Sequence, residues 1–339
     1  MVDGSKGKLR HGAVFVAAAL VGGVALYAFG TSASTTSSGR AVIDASSYRF
    51  NHPIGVAADR SHIWVTNQIG QSVTELSAST GALVQVISGS SYRFDWPIGI
   101  SAFGPYVWVT NQLGNSVTEL NASTGALVRV IWGSSYGFDR PDAVSTDGTH
   151  VWVTNSLGNS VTELDASTGA FVQVISGISY GINDPWAVNS DGSDVWVANV
   201  HGNSVTELSA STGALVQVIS SRADRFALPT AIWSDGTHVW VANGEGGVTE
   251  LHASTGKLIK VILGPRDRFS GPDAITSDGT HVWETNYGGR SVTELDASTG
   301  GLIKVIKVSN GPDAIASDGT HVWVGNYFAN SVTEFDVSP

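Results

Sequence analysis

The chain has no cysteine, a single methionine in 339 residues, and few charges, with Asp, Glu, Lys and Arg together making up 14%. The missing cysteine excludes disulfides, thiolate metal centres, cysteine nucleophiles and a lipid-modified cysteine anchor, and it suits any redox compartment. Positive charge is scarcer than negative: 18 Lys and Arg against 29 Asp and Glu give a formal net charge of −11. After the first dozen residues no lysine- or arginine-rich run occurs. Nucleic acid is therefore not an expected partner, because phosphate binding needs a basic footprint. Also missing are a G-x-S-x-G elbow, a phosphate loop, an H-E-x-x-H pair and an EF-hand loop. What remains abundant is glycine, with 40 residues, set among regularly spaced β-branched and aromatic residues. That profile belongs to a compact all-β protein.

The first 33 residues stand apart. Lys6, Lys8, Arg10 and His11 form a basic lead, Gly12 to Gly30 is 19 residues without a charge, and Thr31 to Gly39 is polar. This is the pattern of a secretory signal peptide, with Ala33 available for cleavage. An uncleaved signal anchor is the alternative, since the apolar run is close to the ~20 residues that span a bilayer. Either reading exports the rest of the chain. The expected organisation is a leader over 1–33, a polar linker over 34–39, and one domain over 40–339.

Within that domain the sequence repeats. Prolines fall at Pro53, Pro97, Pro141, Pro185, Pro229, Pro272 and Pro312, spaced by 44, 44, 44, 44, 43 and 40 residues. Each is followed by an apolar stretch, a turn, and a tryptophan and asparagine three apart, from Trp64/Asn67 to Trp323/Asn326. A V-T-E-[LF] stretch, a turn that is usually A-S-T-G and an apolar run ending in Val-Ile complete the unit. In the third repeat the β-prone runs are Asp142–Thr146, His150–Asn155, Ser160–Leu164 and Ala170–Ile175, joined by glycine-bearing hairpin turns. Four antiparallel strands every ~40–45 residues is the layout of a propeller blade. The fold class expected is all-β, a seven-bladed β-propeller of four-stranded antiparallel blades.

The chain ends predict how the ring closes. Ile87, Ile131, Ile175, Ile219 and Ile262 each stand ten residues before the next proline, and so does Ile43 before Pro53. Yet Ile43 has no preceding strands of its own, while the seventh repeat stops one strand short. Arg40 to Asp44 is thus expected to pair with Ser331 to Phe335 as the missing outer strand, removing two exposed edges.

Residues that recur in every unit are read as scaffold. The tryptophans should pack between blades, and the asparagines should bond the backbone of their own turns. Glu75 and its equivalents should meet a polar group of a strand or turn. His62, His150, His238, His281 and His321 are read as structural, and Gln85 and its equivalents as solvent-facing residues of an edge strand.

The tetrapeptides Trp64-Val65-Thr66-Asn67, Trp108-Val109-Thr110-Asn111 and Trp152-Val153-Thr154-Asn155 resemble the signature of the YVTN-type (YncE-like) propeller family. Later units carry WVAN, WETN and WVGN. The resemblance covers residues 40–339 and implies an exported or surface propeller. More distantly, the chain resembles virginiamycin B lyase-like propellers, which implies an elimination chemistry using Mg²⁺ and a histidine on one face of the ring. The resemblance does not assign that histidine and its acid to a particular symmetry-breaking pair of this sequence.

Function should sit where the symmetry breaks. The loops leading into the innermost strands and those joining the second and third strands should share one face, at the mouth of the channel. Residues just before or after the prolines vary there. Asp142, Asp273 and Asp313 should point to the axis, where a divalent cation could be held by their oxygens; capping of strand starts or pairing with arginine is the plainer reading. Trp186, Trp96, Arg140 and His52 complete the expected ligand-binding set. Glu284, in place of a buried valine, should be satisfied by a neighbour such as His281 or serve a site. Glu245, in a shortened glycine turn, is a second departure. The expected function is a monomeric, exported, non-enzymatic scaffold binding a protein or small molecule on this face, meeting a membrane only through an uncleaved N-terminal segment. The alternative is a lyase or hydrolase acting at the channel mouth.

Overall fold

The structure is a computed structural model that describes residues 34–36, 40–264 and 269–337. The expected leader lies outside the described residues, as does most of the Arg266–Phe269 loop segment. Among the described residues no helix is long and apolar enough to cross a membrane.

Seven antiparallel sheets form; six have four strands in chain order, and the seventh takes its outer strand from the N-terminal end and carries a fifth. In blade 3 the strands are Pro141–Thr146, His150–Asn155, Ser160–Asp165 and Phe171–Ser176, within a residue or so of the expected runs. Each innermost strand starts at its proline, where a missing N–H costs no ladder bond. Innermost strands of successive blades pack side by side, and Pro312–Ser317 of blade 7 packs beside Pro53–Ala58 of blade 1, which closes the ring.

The seam is the one the sequence predicts. Arg40–Ile43 pairs antiparallel with the third strand of blade 7, with Arg40 opposite Phe335 and Ile43 opposite Val332. Asp44 falls just beyond the strand. Part of the expected linker is itself a strand: Ser34–Thr36 pairs with the backbone of residues 40–42 and becomes the fifth strand of that sheet.

The second strand of each blade is buried on both faces, which explains its nearly continuous apolar run. Alternation then divides its side chains between two interfaces. Trp152 packs on Val188, Val195 and Val197 of blade 4, whereas Val151 and Val153 pack against Trp108 of blade 2. All seven such tryptophans are essentially inaccessible to solvent.

Two scaffold expectations need correction. The repeated asparagines do not chiefly bond their own turns. Asn155 Nδ2 donates to Thr162 Oγ1 at 3.0 Å on the third strand, and Thr162 Oγ1 donates to the Tyr136 carbonyl at 2.8 Å in the loop leading into the blade. In blades 1, 4, 5 and 6 the asparagine Oδ1 also accepts an N–H from that loop. The asparagine is thus a brace between the strands and the loops that build the mouth. Likewise the outer-strand polar residues face inward. Gln85 Nε2 donates to Glu75 at 2.6 Å and to the Thr124 carbonyl of the next blade at 2.9 Å. Arg129 pairs with Glu119 at 2.8 Å and Lys260 with Glu250 at 3.2 Å. It is the valines between them, such as Val84, that face solvent. The recurring glutamates have the polar partners expected of them, and His62, His150 and His238 approach them from the second strand at 3.6–3.8 Å.

Candidate functional site

The loops at the mouth are tied in pairs. In every blade the first residue of the turn between the second and third strands donates its N–H to the carbonyl of the residue before the proline, as Ser156 does to Arg140 and Val200 to Asp184. That pre-proline residue is left-handed throughout. His52, Trp96, Arg140, Asp184 and Leu228 have φ between 52° and 61°, and Gly271 and Gly311 take the same place in blades 6 and 7. Five non-glycine residues are thus held in a conformation that is costly for L residues and unusual before proline. Asparagines from the preceding blade help to hold it: Asn115 Oδ1 accepts the Arg140 N–H at 2.9 Å, and Asn159 Oδ1 accepts the Asp184 N–H at 2.7 Å. Backbone geometry is fixed around the mouth while the side chains it displays differ from blade to blade.

Inside the mouth lies a central cavity of about 930 Å³. Asp142, Trp186, Asp273, Asp313, Trp96 and Arg140 all line it. His52 does not; it stacks edge-on against Tyr327, with ring centroids 4.5 Å apart, and Tyr327 is the residue that reaches the cavity. Glu245 is exposed in its turn and takes no part in the lining.

The cavity wall has three chemically distinct parts. On blades 2 and 3, Asp142 accepts a hydrogen bond from Gln112 Nε2, and Gln112 Oε1 accepts one from Arg140 at 3.1 Å. Burial raises the pKa of Asp142, and hydrogen bonds from Ser156 and Gln112 and the charge of Arg140 work against that rise. On blade 4, His201 Nδ1 lies 2.8 Å from Asp184 Oδ2, with His201 69% exposed at the rim. Trp186, 45% exposed, stands on the same blade, and Leu157 on blade 3 is 59% exposed. On blades 6 and 7, the carboxyl groups of Asp273 and Asp313 share a hydrogen bond. Burial raises both pKa values; the hydrogen bond and charge of Asp273 push Asp313 further, well above its usual range, whereas the bond to Asp313 works against the rise at Asp273. Asp273 and Asp313 thus stand together, whereas Asp142 keeps separate partners.

Glu284 is a correction. His281 does not satisfy it, because residues three apart on a strand point to opposite faces. His281 pairs instead with Asp278 at 3.3 Å. Glu284 is inaccessible to solvent, and neither carboxylate oxygen has a hydrogen-bond partner among the described residues. Burial pushes its pKa well above the usual range and the nearby charge of Asp273 pushes it further; Asn286 offsets this only in part.

Sequence reasoning missed His201, Gln112, Tyr327 and Leu157. The signal was available. The turns between second and third strands begin Gln68-Ile69, Gln112-Leu113, Ser156-Leu157, Val200-His201, Gly244-Glu245, Tyr287-Gly288 and Tyr327-Phe328, so symmetry breaks there as sharply as beside the prolines. Ile69, Leu113, Leu157 and Phe328 are all exposed and make an apolar rim.

The ring and its mouth define a seven-bladed β-propeller with a ligand-sized cavity on its axis. Solved propellers share the fold. A catalytically inactive variant of virginiamycin B lyase from Staphylococcus aureus, crystallised with quinupristin, is 14% identical with a TM-score of 0.74, covering 88% of this chain and 99% of that one. A streptogramin B lyase is 16% identical with a TM-score of 0.72, covering 88% and 97%. Hydrazine synthase of Kuenenia stuttgartiensis is 17% identical with a TM-score of 0.69, covering 85% and 96%. At these identities the likeness shows the fold alone. No family model matches the chain and no curated protein matches its sequence, so the YVTN resemblance rests on the repeated tetrapeptides themselves.

Lyase-like propellers imply a Mg²⁺ centre. Among the described residues no three His, Asp or Glu side chains converge as metal ligands do.

Proposed function

We propose that this chain is an exported binding propeller that holds a small amphipathic molecule, or the end of a peptide, in its central cavity. The observation that carries this reading is the cavity itself. It has the size of a small-molecule site, its rim is apolar and aromatic, and a few polar groups are fixed in its wall by bonds to one another. The tied loops supply rigidity, so a ligand need not order the mouth on binding. Export follows from the leader pattern, and the ring is proposed to act as a monomer.

A second reading has one specific observation in its favour. The Nδ1 of His201 faces the Asp184 carboxylate, which leaves Nε2 at the rim of the cavity as the other ring nitrogen. A histidine oriented by a carboxylate is the arrangement of a general base. A lyase or hydrolase would use His201 to remove a proton from a substrate held against Trp186 and Leu157.

A fragment screen by ligand-observed NMR tests the proposal. Fragments are expected to bind, to compete with one another, and to be lost in Ala143→Trp, which fills the cavity. Hits insensitive to that substitution, or no hits at all, would remove the cavity from the function. His201→Gln separates the two readings, because it should leave fragment affinity nearly unchanged if the site only binds.

A further inference from the structure

The three parts of the cavity wall are not equivalent, and blades 6 and 7 present a combination found nowhere else in the ring. Asp273 and Asp313 occupy the same position on adjacent innermost strands, and their carboxyl groups meet. Glu284, on the second strand of blade 6, lies close enough to Asp273 for their charges to repel. Its two oxygens are buried without a hydrogen-bond partner among the described residues. In the other six blades this strand position is valine (Val65, Val109, Val153, Val197, Val241 and Val324), so the carboxylate is not needed by the fold. A buried carboxylate without a partner costs stability unless something repays it.

The same two blades carry the aromatic residues of the turns. Tyr287 and Tyr327 begin the turns of blades 6 and 7, and Tyr327 lines the cavity as Gln68, Gln112 and Ser156 do at that position in blades 1, 2 and 3. Both phenols are close enough to the aspartates to feel their charge. Phe328 joins them, with centroids 5.8 Å from Tyr287 and 5.2 Å from Tyr327. Among the described lining residues the one Lys or Arg is Arg140, and it is committed to Gln112 on the blade 2–3 side. Acidic groups beside an aromatic side chain, on a cavity wall without a lysine or arginine of its own, suit an organic cation: a carboxylate supplies Coulomb attraction and an aromatic ring supplies cation–π contact.

We infer that the part of the axial cavity lined by blades 6 and 7 is a subsite for an organic ammonium group, seated on Asp273 and Asp313 beside Tyr327. This deepens the binding reading and rests on it: the ligand's apolar part lies toward Trp186 and Leu157, its cationic part toward the aspartates.

Choline and its uncharged carbon isostere, dimethylbutanol, test this on the unmodified protein. They have nearly the same shape and differ in charge. Calorimetry should find choline binding at least about tenfold more tightly than the isostere, the scale expected of a partly desolvated cation–π and carboxylate contact. Asp313→Asn should abolish most of that difference while melting no lower than the parent, since it removes a repulsion. Tyr327→Leu should weaken choline more than the isostere. Equal binding of choline and isostere would overturn the ammonium subsite while leaving the cavity reading intact, and so would Mg²⁺ saturating the site and displacing choline at stoichiometric concentration. Absence of choline binding, with neutral fragments still held in the cavity, would overturn it too. Loss of all fragment binding would instead count against the cavity reading on which the subsite rests.

Discussion

Ile43 stands opposite Val332, so the first described strand of the domain and the last belong to one blade. Both residues are fully or nearly buried, and they share a cluster with Val65, Trp323 and Tyr48. The ring is therefore fastened by apolar packing between the two ends of the chain, and the mouth depends on it, because an open ring has no axial cavity.

Deleting residues 31–45 should lower the melting temperature sharply and promote oligomers. It removes Ile43, worth about 2–5 kcal/mol by analogy with other buried aliphatic truncations, and bares the blade 7 edge. Deleting only residues 31–38 should have little effect, since Ser34–Thr36 is an addition outside a complete four-stranded blade. Calorimetry with size-exclusion chromatography distinguishes the cases; a longer truncation that melts like its parent as a monomer would refute the seam.

Trp152 sits wholly within the interface between blades 3 and 4. Trp152→Ala should cost about 3–5 kcal/mol in denaturant titration. A loss below about 1 kcal/mol would mean that the interface collapses around the gap without consequence, contrary to close packing.

Glu284→Val should stabilise the domain, by about 1–3 kcal/mol, the cost of a buried unsatisfied polar group. The gain should depend on pH in a set direction. Burial raises the folded-state pKa of Glu284 above its ordinary value of 4.5. Below that value both states are protonated; as pH rises the unfolded state loses its proton first, so the parent loses stability progressively toward the raised folded pKa. The advantage of the valine variant should therefore widen from pH 4 to pH 8. An advantage that shrinks over that range would show that Glu284 is ionised and paired.

Leu228 is a large side chain held at φ 53° before Pro229, where blades 6 and 7 have glycine. Leu228→Gly should be neutral or stabilising by up to about 1 kcal/mol, relief of left-handed strain being offset by the freedom glycine has in the unfolded chain. A loss above about 2 kcal/mol would mean that the Leu228 side chain, not its backbone, holds the loop.

The architecture was legible because it is periodic. Evenly spaced prolines and the Trp/Asn pairs define blades, and the ten-residue interval from Ile43 to Pro53 places the closing strand. The common offset of Asp142, Trp186, Asp273 and Asp313 from their prolines likewise puts them around one axis. What failed depended on which way a side chain turns. Gln85 sits on an edge strand yet points inward, because Glu75 on the next strand needs a donor. Glu284 was matched to His281 although strand parity separates them. The His201–Asp184 pair joins two loops seventeen positions apart, which the backbone bond from Val200 to Asp184 and the bond from the Asn183 N–H to Asn199 Oδ1 bring together.

The most direct test of a ligand-binding axial cavity uses the tryptophans as reporters. Of the eleven, seven are sealed between blades, Trp96 and Trp186 line the cavity, Trp233 is half-buried on the innermost strand of blade 5, and Trp132 is exposed on an outer strand. With fluorotryptophan incorporated, fluorine NMR resolves these environments, and benzyltrimethylammonium serves as the probe because it carries both an apolar ring and a fixed cation. The resonances of Trp96 and Trp186 should shift saturably, while those of the seven interblade tryptophans and Trp132 stay in place. A saturable shift confined to Trp132, or no shift at Trp96 and Trp186 for this probe or for any hit from the fragment screen, would contradict the account.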